Sequence, residues 1–239
     1  MSFPKHPFAV RTLFRRCFLV DFAVDPAELA NALPSHVVPD VHGEEAFVSV
    51  VVGEMHKMRP VGVPRPLGIT YNQIVYRAVV RCGGERGVHF LRSDADSRLM
   101  TGFGNLMSFF RFHRSDIRFS ESTGTVQLDV TTTSTPSADI AATFVTNATP
   151  KELPPSSVFA DLSEAKRWLV DLYAAFDSAE GRQAVDVVRI RRGEWDVRVV
   201  DDTRAHYAFM TSGSPFTRAR LDCVFSVGDV PYHWYRLQH

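Results

Sequence analysis

A chain of 239 residues with 45% hydrophobic content is long enough to bury a sizeable core as a single globular domain spanning residues 1–239. Its 27 basic and 27 acidic side chains cancel, which excludes the basic excess that nucleic acid or an anionic membrane surface would demand. Cys17, Cys82 and Cys223 lie far apart in apolar stretches and read as free thiols. With no charged-then-apolar leader and no run of about eighteen apolar residues, a cytoplasmic protein without a membrane partner is expected.

Residues 1–10 read as an arm laid over the surface. Over residues 12–24 the even positions Phe14, Phe18, Val20, Phe22 and Val24 are apolar, which predicts a strand. Asp25-Pro26 starts a short helix that Pro34 stops, and residues 45–56 form a near-continuously apolar strand. The Pro- and Gly-bearing stretch 57–68 is an ordered loop or lid, and residues 69–82 a strand turning at Gly83-Gly84. Strand alternation resumes over 88–93. Asp94, Asp96 and Ser97 then supply short polar groups that cap a helix over 97–107, with Leu99, Phe103 and Leu106 on one face. Gly102 and Gly104 weaken that helix, so they point to a backbone packed close against a neighbour. Residues 109–113 alternate again, with Phe110 and Phe112 on one face and Arg111 and His113 on the other.

A second hairpin is expected over 125–134 and 138–146, then a helix capped by Ser163 and running to about Phe176. Strands are expected after it over 185–192, 195–200, 205–211, 220–227 and 231–237. Roughly ten strands against three short helices give an α+β, β-dominated domain, and a barrel or sandwich disposes of the sheet edges best.

The central stretch GVHFLRSDADSRLMTGFGNLMSFF (87–110), with ITYNQIVYRAVV (69–80) before it, resembles the YqjF-like family of uncharacterised proteins in the acetoacetate decarboxylase-like superfamily. The likeness extends to VDPAELANALPSHVVPDVHGEEAFVSVVVGEM (24–55) and, more loosely, to GEWDVRVV (193–200). It implies a closed or partly closed antiparallel β-barrel with its pocket inside. The superfamily's enzyme forms a Schiff base through a lysine that comes after the helix; the matching positions here, Ser108-Phe109-Phe110-Arg111, hold none. Arginine stays protonated and does not form an imine. Of the four lysines, Lys5 and Lys151 lie in proline-rich loops and Lys166 off its helix's buried stripe, leaving Lys57 to reach a pocket. Where the superfamily enzyme has a pocket glutamate, this chain has Gln73, which hydrogen-bonds but does not exchange protons near neutral pH.

These residues define the candidate site. Arg111 would hold an anionic substrate group, His113 would transfer a proton, and Gln73 and Tyr71 would orient the substrate, with Arg92 and Arg77 contributed by neighbouring strands. A buried guanidinium needs a carboxylate beside it, from Asp94, Asp96, Asp116 or the ligand itself. No metal-ligand spacing, phosphate-cradling loop or nucleophile elbow occurs, so neither metal nor cofactor is expected. Two readings stand: an enzyme of lyase type without a Schiff-base lysine, acting on a small carboxylated molecule, or a non-catalytic barrel that binds a small ligand or is filled by side chains. The sequence leaves homo-oligomer formation open.

Overall fold

The structure, a computed structural model, describes residues 6–133, 138–146, 152–178, 185–212 and 215–236. Residues 1–5 of the expected arm, Lys5 among them, the ends of the expected strands at 134 and 237, and Lys151 lie outside the described residues.

In chain order the elements are β1 (Val10–Val24), α1 (Pro26–Ala32), β2 (Val38–Pro39), β3 (Ala46–Pro60), β4 (Ile69–Cys82), β5 (Glu85–Ala95) and α2 (Arg98–Met107). Then come β6 (Phe112–Ser122), β7 (Thr125–Thr132), β8 (Ile140–Val145), α3 (Leu162–Ala165), a π-helical turn (Lys166–Val170) and β9 (Ala174–Asp177). The chain continues through β10 (Asp186–Arg192), β11 (Val197–Val199), β12 (Asp201–Asp202), β13 (His206–Tyr207), α4 (Ala208–Thr211), β14 (Arg220–Val227) and β15 (Val230–Arg236). Among the described residues no helix is long and apolar enough to cross a membrane.

Strands β9, β10, β15, β1, β3, β4 and β5 are hydrogen-bonded in that order, and a parallel pairing of Val88 with Ala175 returns β5 to β9. The result is a closed seven-stranded barrel, antiparallel except at that junction. A second sheet, β6–β7–β8, continues from β5 and covers the outside of β1, β3 and β4. This two-sided burial explains the unbroken apolar run in β3. Phe47 and Val51 point into the barrel, while Val48, Val50 and Val52 pack outward with Leu128, Ile140 and Phe144.

Three expectations are corrected. The helix predicted to reach Phe176 is capped by Asp161, whose carboxylate accepts the Glu164 N–H, and ends at Val170; Phe176 belongs to β9. The segment plugs one end of the barrel, and arginines from three strands donate to its terminal carbonyls, which have no further helical turn to serve. Arg77 donates to the Leu169 carbonyl at 2.8 Å, Arg192 to that of Val170 at 2.8 Å, and Arg86 to those of Arg167 and Trp168. Residues 205–211, expected as one strand, divide into β13 and α4. Strand β6 starts at Phe112, because Arg111 sits in the left-handed region at φ 52° and breaks the extended alternation expected over 109–113.

Candidate functional site

The other end of the barrel is open inside. A cavity of about 400 Å³ lies between the walls, built from Val10, Met58, Ile69, Tyr71, Gln73, Phe90, Val188 and Trp234, and a roof formed by α2. Ser97 holds that helix in place by accepting the Met100 N–H, and Leu99, Met100, Phe103 and Met107 face the cavity. The roof can sit this low because residue 104 is glycine. A Cβ there would run into the Phe112 ring, whereas one at Gly102 would meet nothing. The close approach inferred for both glycines thus belongs to Gly104 alone.

The lining is overwhelmingly apolar, and its polar groups are few enough to trace singly. The Tyr71 hydroxyl donates to the Gln73 Oε1 at 3.1 Å and lies 3.0 Å from the Met58 sulfur. Burial, with Asp96 nearby, pushes the Tyr71 phenol well above its ordinary pKa, so it remains a donor. Gln73 is 5% exposed; its carbonyl is taken by Tyr71, while its amide NH2 has no partner among the described residues. Ser108 donates to the Gly104 carbonyl at 2.8 Å. Arg59 borders the cavity with its guanidinium tied to the carbonyls of Val63 and Lys57.

One further polar group is invisible to strand patterning. His6, in the arm before β1, lies against the cavity with its Nε2 at 2.6 Å from the Asp177 Oδ2. Asp177 is buried at the end of β9 and also accepts the Phe109 N–H, at 2.9 and 3.2 Å. A buried carboxylate that orients a histidine against a cavity is an arrangement suited to moving a proton. Sequence separation hides it: His6 and Asp177 are 171 residues apart.

The sequence-predicted residues divide sharply. Tyr71 and Gln73 line the cavity side by side. Arg111 is exposed and His113 half-buried, and neither lines the cavity; Phe110 and Phe112 do. The two pairs fall on opposite faces as alternation predicts, but it is the phenylalanines that turn to the cavity. Burial, with the neighbouring Arg92 charge as the next cause, lowers the His113 pKa. Arg92 is buried between the barrel and the second sheet in a bidentate pair with Asp94, at 2.7 and 2.8 Å. Ser115 donates to the same carboxylate at 2.8 Å. Asp96 accepts the backbone and side-chain N–H groups of Asn72. No lysine lines the cavity among the described residues, and Lys57 occupies a left-handed bulge of β3 at φ 53°. Among those residues no cluster of three or more His, Cys, Asp or Glu side chains is arranged to hold a metal ion.

A family model named DUF2071 and described as an uncharacterised conserved protein matches residues 12–228. No curated protein matches significantly. Among solved structures, an acetoacetate decarboxylase-like enzyme from Sphingomonas wittichii RW1 superposes with TM-score 0.62 at 13% identity, covering 97% of this chain and 93% of that one. Acetoacetate decarboxylase from Legionella pneumophila gives 0.59 at 13%, covering 96% and 87%. The enduracididine biosynthesis enzyme MppR, complexed with pyruvate, gives 0.59 at 11%, covering 99% and 90%. At these identities the likeness establishes the fold.

Proposed function

Because the chain belongs to the DUF2071 family of uncharacterised conserved proteins and has an acetoacetate decarboxylase-like fold, we propose that it binds a small, largely apolar organic molecule inside the barrel. The observation that carries this reading is the cavity of about 400 Å³, whose lining includes the unengaged amide NH2 of Gln73. In this reading Tyr71 fixes the Gln73 side chain through its carbonyl and so turns the NH2 group toward a carbonyl oxygen of the ligand. A site built to hydrogen-bond a group discriminates strongly against analogues that lack it. Arg111, His113 and Arg92 have no part in it. An anionic substituent, if the ligand carries one, would lie at the Arg59 side of the cavity.

The His6–Asp177 pair favours an enzyme over a passive binder. With Nε2 engaged by Asp177, the Nδ1 of His6 has no hydrogen-bond partner among the described residues and is available as a proton acceptor beside a bound carbonyl compound. Catalysis in this reading proceeds by proton transfer, without a lysine imine.

Binding of C6 to C10 ketones and of matched alkanes, monitored by ligand-observed NMR, tests the reading. Saturable ketone binding is expected, and Val188→Trp, which fills the cavity, should abolish it. Gln73→Leu should weaken the ketones about tenfold or more while leaving the alkanes nearly unchanged, the loss expected for one buried hydrogen bond. Ketone binding that survives Val188→Trp would overturn the assignment.

A further inference from the structure

Just outside the cavity the barrel wall carries a row of basic side chains that have no acidic partner among the described residues. Arg59 of β3 stands opposite Arg11 of β1, Arg11 opposite His233 of β15, and His233 opposite Arg191 of β10. The adjacent residues Val10 and Trp234 line the cavity and Ile190 is in the barrel core, so strand alternation turns Arg11, His233 and Arg191 to the outer face, while Arg59 stands at the cavity's edge. Neighbouring strands lie about 4.8 Å apart, which makes the row roughly 14 Å long.

Like charges placed directly opposite one another destabilise a sheet. Elsewhere the barrel avoids this by pairing its arginines: Arg15 with Glu54 and Asp229, Arg81 and Arg86 with Asp40, and Arg189 with Glu85. Arg59, Arg11, His233 and Arg191 make no ion pair among the described residues. The Nε of Arg11 is buried with no hydrogen-bond partner. The charges that act on His233 are those of Arg11, Arg191 and Arg59; with burial as the larger cause, they lower its pKa. In a chain of zero net charge this is a local concentration of positive groups.

The row also meets the cavity. Strand β1 begins at Val10 and β3 ends at Pro60, so the Arg11–Arg59 pair lies one residue from the lip, and Arg59 itself borders the interior. Around that end the exposed side chains Phe8, Leu99 and Phe103 are apolar, and all three belong to the cavity lining.

We propose that this row is a head-group subsite, and that the ligand is an amphiphilic polyanion. Its head, bearing two or more phosphate or carboxylate groups, lies along Arg59, Arg11, His233 and Arg191, while its apolar body crosses the lip into the barrel. The inference rests on the cavity being a binding site, and the probes separate the two. Geranyl diphosphate carries both parts, and geraniol carries the apolar part alone.

Calorimetric titration of both probes at low ionic strength is the test. Geranyl diphosphate should bind at least about tenfold more tightly than geraniol, as expected for charge-assisted hydrogen bonds to guanidinium groups. That ratio should collapse toward one in Arg11→Gln, recover in part in Arg11→Lys, and shrink for the unaltered protein in 0.5 M salt, roughly the range where screening removes exposed charge interactions. The salt arm needs no variant to fold. Equal binding of the two probes, or a ratio indifferent to Arg11 and to salt, overturns the head-group subsite and leaves the cavity reading standing. Failure of geraniol itself to bind removes the cavity reading, and this one with it.

Discussion

Asp21 shows how an ionisable side chain in the barrel's interior ties stability to pH. Its carboxylate accepts the Ser49 hydroxyl at 2.5 Å, but its second oxygen is buried without a partner. Burial raises its pKa from 3.8 to about 7, against the opposing pull of Ser49 and Arg77. Below its unfolded pKa the group is protonated whether the chain is folded or not. Between there and about 7 the folded protein holds a proton that the unfolded chain has lost, so stability falls as pH rises through that window and then levels off. Urea unfolding should therefore give a lower free energy at pH 8 than at pH 5, and Asp21→Asn should flatten the difference. A slope of the opposite sign, or one unaffected by the substitution, would refute the assignment.

Which residues could be placed from sequence depended on the backbone between them. Tyr71 and Gln73 stand two apart within the regular part of β4, so alternation alone put them on one face. For residues 110–113 the same rule separates Phe110 and Phe112 from Arg111 and His113 correctly, but alternation does not say which pair faces the cavity, and the left-handed conformation of Arg111 delays the strand to Phe112. Nothing in the local pattern of an arginine among phenylalanines announces that conformation. His6 and Asp177 share a site only through tertiary packing.

At the level of elements, the roof helix α2 is the part whose sequence and position explain each other most fully. Its capping serine and most of its apolar face could be read in advance, Leu106 excepted, which is exposed and off the cavity, and the structure shows that only one of its two glycines is close to a neighbour. Gly104→Ala should force the helix away from Phe112 and destabilise the protein by about 1–3 kcal/mol, the usual range for overpacking. Gly102→Ala, which meets open space, should instead stabilise by several tenths of a kcal/mol through helix propensity. Equal effects from the two, measured by urea unfolding, would mean that the roof does not rest on Phe112. The plug was the element least legible. Its apolar stripe continues into β9 without a break, since Leu169, Leu172 and Phe176 are all buried. The carbonyls at its end are met by arginines distant in sequence, which no local window contains.

For the whole molecule, the β-dominated barrel was legible because many strands with few helices leave few ways to dispose of sheet edges. The second sheet's place against β1, β3 and β4 was foreshadowed by strands too apolar to have a wet face. The closure itself was not foreshadowed. It consists of one parallel pairing, Val88 with Ala175, whereas every other seam of the barrel is an antiparallel ladder, the longest between β1, β3, β4 and β5. Gly87 lets the strands meet there, since a Cβ would strike the Ala174 carbonyl, and His89 spans the junction by donating from Nδ1 to the Phe176 carbonyl at 2.9 Å.

A hoop fastened at one narrow clasp is softest along that line. The junction between β5 and β9 should open more readily than any other part of the wall, and amides of 174–176 should exchange with deuterated solvent well before those of β1 and β3. His89→Ala should hasten that exchange further, and a molecule held in the cavity should slow it. The cavity would then have two doors: a standing one at the lip, and a transient one wherever the clasp springs.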